Sequence, residues 1–191
     1  MTKLRWSDDE GRKLYAGGIV LTDTVNEKEG LWTLVEKDNA GLVHGDIGGR
    51  YDFNDGDIYA TIAREFREEL YNTAEIPYSV LVNLPPETHI YTYGHQLVPV
   101  YLCIVTSAES VGLKNKLEKI DVESAKQRVV QQNPEVPSSW YRTIGFKFIT
   151  FEDIKSRKCA ISRRFGEVIT ESFLYDKIAK CCGSEGTPPK A

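Results

Sequence analysis

The residues of this chain best suited to chemistry are three glutamates that stand close together, Glu65, Glu68 and Glu69. The surrounding pattern predicts a helix over residues 57–70, with Asp57 as its N-cap and an apolar stripe along one side. At about 100° per residue, the three glutamates project side by side and away from that stripe. Like charges at this spacing repel one another, so the group favours a cation. Carboxylate oxygens suit Mg²⁺ or Mn²⁺, which also bind substrate phosphates.

Two neighbouring features support this interpretation. Arg64 lies one turn before Glu68, so it can pair with that carboxylate and hold its orientation. Upstream, Gly48-Gly49-Arg50 would bring backbone close to the metal, because glycine permits an approach that a side chain would block. Each feature alone also has an ordinary explanation, since paired glycines are common and a charged helix face is usually solvated.

The elements that must position these residues follow from the hydrophobic pattern. Strands are predicted at residues 15–22, 31–36, 79–84, 97–106 and 146–151. The first two form a hairpin with a polar loop over 23–30, and a glycine-rich stretch, 41–50, leads into a polar loop, 51–56. Helices are predicted on the surface within 107–131 and near the end over 165–180. This irregular order fits an α/β sandwich with a mixed sheet better than a regularly alternating parallel sheet.

Composition indicates an ordinary globular protein. The chain has 191 residues, of which 41% are hydrophobic and 27% charged. We expect one domain over residues 1–182 and a disordered tail over 183–191. No stretch approaches the roughly 18 apolar residues of a membrane span, and the first residues lack the apolar core of a signal peptide, which predicts a cytoplasmic protein without membrane contact. The four cysteines lack metal-ligand spacing and are predicted to be free thiols, Cys103, Cys159, Cys181 and Cys182.

Charge is distributed unevenly along the chain. Residues 1–109 hold 9 Lys/Arg against 18 Asp/Glu, for −9, and residues 110–191 hold 15 against 10, for +5. An acidic half that gathers a cation and a basic half that meets an anion would suit a metal-dependent enzyme acting on phosphates. Two solvated surfaces explain the same asymmetry.

Taken together, these pieces resemble a known family. A strand with Ala-Gly-Gly-Ile-Val, a Gly-Gly-Arg loop, an acidic residue shortly before a helix, and Arg-Glu-hydrophobic-x-Glu-Glu on that helix are similar to the Nudix hydrolases. The resemblance covers residues 15–71 strongly and 148–154 weakly. It departs from the family pattern at two positions: Gly56, with Asp57 next to it, stands where a glutamate is expected, and Tyr71 stands where a glycine is expected.

The resemblance implies an α/β/α sandwich, a divalent cation, and attack by water on a diphosphate linked to a further group. It implies Glu68 and Glu69 as metal ligands, and Glu65 as a metal ligand or the group that activates water. The carbonyl of Gly48 or Gly49 would complete the metal site, and Arg64 would orient Glu68. Glu65 or Glu69 would accept the proton of the water. A downstream acid would be a further participant, one of Glu109, Glu123 and Glu135.

The substrate is not specified by the motif. Aromatic residues could stack a base, and basic residues could follow a phosphate chain. Candidate binding residues are Arg50, Trp6, Tyr93, Lys114 and Arg128. A capped RNA 5′ end offers both a base and a polyanionic chain, so mRNA decapping is the leading prediction.

Several alternatives stay open at this point. The substrate would otherwise be a phosphorylated small molecule: an inositol pyrophosphate, a dinucleoside polyphosphate or ADP-ribose. Nudix domains also occur as secreted effectors of plant-pathogenic fungi, in which case the location would be the host cytosol. A hypothesis of another class is a non-catalytic binding module that keeps the fold.

Overall fold

The computed structural model describes residues 14–39, 41–84, 88–92, 100–133, 135, 142–162, 165, 166 and 169. Two predicted binding residues, Trp6 and Tyr93, lie outside them. The predicted tail and most of the predicted helix over 165–180 lie outside them as well. The domain boundaries therefore stay a prediction.

The described residues form a mixed sheet with helices beside it. In chain order the elements are β1 (Leu14–Val25), β2 (Lys28–Asp38), β3 (Gly41–Gly45), β4 (Ile47–Arg50), α1 (Ile58–Glu69), α2 (Tyr78–Leu81), β5 (Thr88–Thr92), β6 (Val100–Ser107), a 3-10 helix (Leu117–Lys119), α3 (Val122–Gln132), β7 (Thr143–Thr150) and α4 (Phe151–Lys155). The sheet order is β3-β2-β1-β6-β5, and β7 also pairs with β2. β1 and β6 run parallel, whereas the other described pairs are antiparallel.

β1 is the central strand and places the glycine-rich segment. Its first half pairs with β4, from Ala16 opposite Arg50 to Ile19 opposite Ile47, and its second half pairs with β2. The glycine-rich stretch 41–50 is therefore two short strands, and the prediction of its Gly-Gly-Arg segment as a loop is wrong. Glycine here serves close packing of neighbouring backbone and side chains, which a composition pattern does not distinguish from a loop.

The hairpin of β1 and β2 is longer and tighter than expected. Asn26 and Glu27 have φ of 51° and 63° and form a two-residue turn, with Val25 opposite Lys28. The prediction of a polar loop over 23–30 is therefore wrong, because most of these residues extend the two strands and pair with one another. One of them, Asp23, is buried and accepts a hydrogen bond from the Trp32 indole at 2.9 Å.

Apolar cores on both faces of the sheet confirm the predicted α/β/α sandwich. One core joins the buried residues of α1 to those of α3, among them Ile58, Ile62, Phe66, Val122 and Ala125. The other includes Ala16, Val20, Cys103, Phe151 and Phe165. Within the described residues Cys103 and Cys159 are free thiols, as predicted, and Cys181 and Cys182 lie outside.

The helix that bears the glutamates forms as predicted. Asp57 is its N-cap, since a side-chain oxygen accepts a hydrogen bond from the Ala60 amide at 2.9 Å. Ile62 and Phe66 turn into the core, which leaves the opposite side of α1 for charged residues. α1 packs on β1 where Gly17 leaves room: a Cβ there would lie 2.9 Å from Ile62 Cγ1.

Two other segments differ from expectation. Residues 79–84, predicted as a strand, fall in the short helix α2 and a turn, because Leu81 is buried and its apolar neighbours pack against the same core as α1. The predicted helix within 107–131 is shorter: turns and the 3-10 helix precede α3, which begins after its N-cap Asp121. The strand predicted at 146–151 is confirmed as β7, which begins at Thr143 and ends at Thr150. The described part of the strand predicted at 97–106 is confirmed as β6, and residues 97–99 lie outside the described residues. None of the helices in these described parts has the length and apolar character needed to cross a bilayer.

The close contact at Gly17 yields a prediction about stability. Gly17→Ala should lower the free energy of unfolding by about 1–3 kcal/mol, because the added methyl group overpacks the core against Ile58 and Ile62. The matched control is Gly145→Ala in β7, where the nearest atom, Val35 Cβ, would lie 3.8 Å away. Urea denaturation of both variants checks this. Equal stabilities would contradict the packing of α1 on β1.

Candidate active site

The guanidinium of Arg64 forms hydrogen bonds with the glutamates on the side of α1 that faces away from the core. Its Nη1 donates to Glu65 Oε1 at 2.8 Å and to Glu68 Oε2 at 3.0 Å. Its Nε and Nη2 donate to the Asp55 carboxylate, and Nη2 also donates to the Arg50 carbonyl at 2.7 Å. The Arg64–Glu68 pair predicted from helix spacing is present. The same group also connects α1 to the end of β4 and to the loop between them.

Asp55 is a hydrogen-bond partner of Arg64 that the sequence did not predict. It lies one residue before Gly56, where the family pattern expects a glutamate, and its side chain is only 8% exposed. It accepts further hydrogen bonds from the Asp52 amide and the Thr61 hydroxyl. Burial alone would raise the pKa of Asp55, but the hydrogen bonds from Arg64, Asp52 and Thr61 outweigh it and leave the pKa below its ordinary value.

Two glutamates of α1 meet the glycine pair of β4. Glu69 Oε2 accepts a hydrogen bond from the Gly48 amide at 2.8 Å. Glu65 lies against Gly49 so closely that a Cβ there would be 2.4 Å from the carboxylate carbon. Gly-Gly thus brings backbone next to the glutamates, as predicted, although it does so within a strand.

The electrostatic balance of this site is strongly negative. We call Asp55, Glu65, Glu68 and Glu69 the acidic cluster. When these four carboxylates and Arg64 are all ionised, four negative charges and one positive charge give a net charge of −3. Burial raises the pKa of Glu65, although Arg64 opposes that effect. The pKa of Arg64 is raised by its partners in spite of burial, so the guanidinium stays charged.

The donor atoms of the acidic cluster suit a divalent cation. Within the described ranges, no three His, Cys, Asp or Glu side chains are already arranged as a metal site. A cationic nitrogen, Nη1 of Arg64, lies between oxygens of Glu65 and Glu68. Hard carboxylate oxygens with an excess of negative charge are the environment that Mg²⁺ and Mn²⁺ prefer, so the residues present fit such an ion.

The two departures from the family pattern leave the acidic cluster intact. Asp55 supplies a buried carboxylate one position before Gly56. Tyr71 has φ of 50°, in the left-handed region that favours glycine, which explains why a glycine is expected there. The ring of Tyr71 is buried in the same core as Phe66 and Leu70.

The other predicted site residues lie apart from the acidic cluster. Lys114 pairs with Glu109 at 3.5 Å on the surface, and Arg128 donates to the Ser124 carbonyl within α3. The predicted downstream acids are exposed in the structure, Glu109, Glu123 and Glu135. None of these described side chains forms a hydrogen bond or ion pair with the cluster. Arg50 does lie beside it, and its own guanidinium stands 5.3 Å from the centre of the Tyr15 ring.

Comparisons with known proteins find solved structures that are similar to this chain in fold. No protein-family model matches the sequence, and a comparison with curated proteins gave no significant match. A structure described as a possible asymmetric diadenosine tetraphosphate (Ap4A) hydrolase from Jonesia denitrificans has a TM-score of 0.51 at 12% identity, over 91% of this chain and 97% of that one. A Nudix hydrolase from Nitrosomonas europaea has a TM-score of 0.45 at 12% identity, over 81% and 85%.

A longer protein also matches. Shewanella oneidensis NrtR has a TM-score of 0.46 at 12% identity over 88% of this chain, which spans 64% of the length of NrtR. At such identities the likeness concerns the fold alone. The chain adopts the fold of the Nudix hydrolases, as the resemblance in its sequence implied.

The partly buried ion pair of Asp55 and Arg64 should make the free energy of unfolding depend on pH. Asp55→Asn should lower the free energy of unfolding by about 2–4 kcal/mol at pH 7, since it leaves Arg64 without its principal partner. A carboxylate whose pKa is lowered by folding stabilises the folded state at any pH above its ordinary pKa of 3.8. That stabilisation is lost as the pH falls through the lower pKa that the carboxylate has in the folded protein. The difference between wild type and variant, measured by urea denaturation, should therefore shrink well below pH 3.8.

The control is Glu75→Gln, which removes one charge from an exposed position. It should change stability by less than about 0.5 kcal/mol at either pH. If Asp55→Asn behaves like this control at pH 7, the ion pair does not hold the loop.

Proposed function

We propose that this protein is a divalent-cation-dependent hydrolase that cleaves the phosphoanhydride bond of a diphosphate linked to a further group. The observation that supports this most is the group of three glutamates on α1: Arg64 contacts Glu65 and Glu68, and the glycine pair of β4 meets Glu65 and Glu69. Three carboxylates on adjacent turns are costly to keep together without a cation.

In the proposed site Glu65, Glu68 and Glu69 hold Mg²⁺ or Mn²⁺, with the Gly49 carbonyl as a further oxygen ligand. When bound, such a cation activates water and neutralises charge on the phosphate oxygens. Arg64 fixes Glu65 and Glu68 through Nη1, and the Gly48 amide fixes Glu69. These contacts reduce the reorganisation that would otherwise be needed during the reaction.

Glu65 is the proposed proton acceptor. Its carboxylate lies against Gly49, and one of its oxygens accepts a hydrogen bond from Arg64 Nη1, so the side chain is held in place beside the glycine pair. Water oxygen forms a bond to phosphorus, the anhydride oxygen leaves with its electron pair as phosphate, and the water proton passes to Glu65. Glu69 is the alternative acceptor; its Oε2 accepts a hydrogen bond from the Gly48 amide, as Glu65 Oε1 does from Arg64.

The class of substrate is proposed more broadly than mRNA decapping. Decapping was predicted from aromatic and basic residues together, and two of the basic residues, Lys114 and Arg128, make local contacts away from the cluster. A dinucleoside polyphosphate is compatible with the fold, since the Jonesia structure is described as a possible Ap4A hydrolase. Capped RNA, ADP-ribose and an inositol pyrophosphate belong in the same test.

Turnover of this panel with Mg²⁺ tests the proposal. Wild type should hydrolyse at least one of the four substrates, and chelation should abolish the reaction until Mg²⁺ or Mn²⁺ is restored. Glu69→Gln should lower kcat by about 10²-fold or more, because it removes a charged ligand while keeping the shape of the side chain.

Glu75→Gln serves again as the charge-matched control and should keep the wild-type rate. Far-UV circular dichroism confirms that each variant is folded. Full activity after thorough chelation, or near-normal rates in all three variants Glu65→Gln, Glu68→Gln and Glu69→Gln, would refute the proposed mechanism.

A further inference from the structure

Tyr78 in α2 forms a hydrogen bond with the N-cap of the helix that bears the glutamates. Its hydroxyl donates to Asp57 Oδ2 at 2.6 Å, while Asp57 Oδ1 accepts from the Ala60 amide at 2.9 Å. One carboxylate therefore caps α1 with one oxygen and binds α2 with the other. Asp57 is only 7% exposed, so the Tyr78 hydroxyl satisfies an oxygen that has little access to water.

Thr61 connects this N-cap to the carboxylate of Asp55. The Asp57 carbonyl accepts from the Thr61 amide at 3.1 Å and lies 3.4 Å from the Thr61 hydroxyl. The same hydroxyl lies 2.9 Å from Asp55 Oδ2. A hydroxyl has a single proton to donate, and Thr61 is fully buried, so the conformation of the first turn of α1 determines which oxygen receives that proton.

Asp55 in turn contacts the guanidinium that holds two of the glutamates. Arg64 Nε donates to Asp55 Oδ1 at 3.0 Å, and Arg64 Nη2 donates to Oδ2 at 3.0 Å. Nη1 of the same guanidinium donates to Glu65 and Glu68. Because a guanidinium is planar and rigid, the carboxylate that binds one edge of it also fixes the direction of Nη1. A displacement of Asp55 therefore moves the group that orients two proposed metal ligands.

The hydroxyl is the part of Tyr78 that this chain of hydrogen bonds uses. α2 is anchored by Leu81, which is fully buried, whereas Tyr78 is 37% exposed. The hydrogen bond to Asp57 raises the pKa of Tyr78 to about 12, as expected for a phenol that donates to a carboxylate. A phenylalanine would occupy the same space without this contact, so the two functions of the side chain can be separated by one substitution.

We propose that Tyr78 is a positioning residue: its hydroxyl, acting through Asp57 and Thr61, fixes the orientation of the Arg64 guanidinium. This rests on the proposed function, in which that guanidinium aligns two ligands of the cation. Tyr78 acts through other residues, so its loss should lower kcat and leave the binding of substrate almost unchanged.

The Nε–H resonance of Arg64 in nuclear magnetic resonance spectra tests this without turnover, because this proton donates to Asp55. The resonance is assigned by its loss in Arg64→Lys. Tyr78→Phe should shift it and speed its exchange with water about 2- to 10-fold, the change that loss of one hydrogen bond gives. Asn83→Ala is the matched control, since it removes a hydrogen bond of 2.7 Å to the Ser79 carbonyl at the other end of α2, and it should leave the resonance unchanged.

Kinetics on whichever substrate of the panel is hydrolysed provide the second measurement. At saturating Mg²⁺, Tyr78→Phe should lower kcat about tenfold while KM stays within about twofold. Thr61→Val interrupts the same chain of hydrogen bonds and should lower kcat to a similar extent. If both residues act through Asp55, the double variant should be no slower than the slower single variant.

An Arg64 resonance that Tyr78→Phe leaves unchanged would overturn the inference. Equal effects of Tyr78→Phe and Asn83→Ala, or losses of kcat that multiply in the double variant, would overturn it as well. A resonance that shifts in Tyr78→Phe alone, in a protein that hydrolyses no substrate of the panel, would support the positioning of Arg64 and refute hydrolysis alone.

Discussion

The hydrogen bonds of the Arg64 guanidinium are the constraint on which the rest of the site depends. One partly buried cation contacts Asp55, Glu65, Glu68 and the carbonyl of Arg50. Taking a guanidinium out of water is costly unless its donors are satisfied, and here three carboxylates and one backbone carbonyl satisfy them. The end of β4, the following loop and α1 are fixed relative to one another as a result.

Close packing at two glycines makes this arrangement sterically feasible. Gly17 lets α1 approach β1, and Gly49 lets the Glu65 carboxylate approach β4. The apolar side of the helix determines its depth in the core, and the charged side then meets backbone instead of solvent. The acidic cluster is consequently half-buried, which raises the pKa of Glu65 and strengthens its interaction with a cation.

The periodicity of the sequence predicted the parts of this site that lie within one helix, but it did not predict the contacts that depend on the conformation of the loop. The position of α1, its N-cap Asp57 and the pair of Arg64 with Glu68 follow from spacings within one helix. Asp55 lies outside that helix and reaches Arg64 only because the loop folds back, so no spacing rule identifies it.

The errors in the fold have a common physical origin. The Gly-Gly-Arg segment of β4 was predicted as a loop, although Gly49 is required by a close approach within a strand. Apolar residues of 79–84 were interpreted as a strand, although a single turn of helix buries Leu81. Both segments are too short for periodicity to separate strand, turn and helix, and tertiary packing determines their conformation.

The most direct test of this account is the affinity for Mn²⁺ measured by electron paramagnetic resonance in wild type and Arg64→Lys. The substitution keeps the positive charge but removes the planar fork, so it isolates orientation of the glutamates from electrostatic repulsion. If Arg64 organises Glu65 and Glu68 for a cation, Arg64→Lys should weaken Mn²⁺ binding by about 10- to 100-fold. An unchanged affinity, or no binding of Mn²⁺ to the wild-type protein, would contradict it.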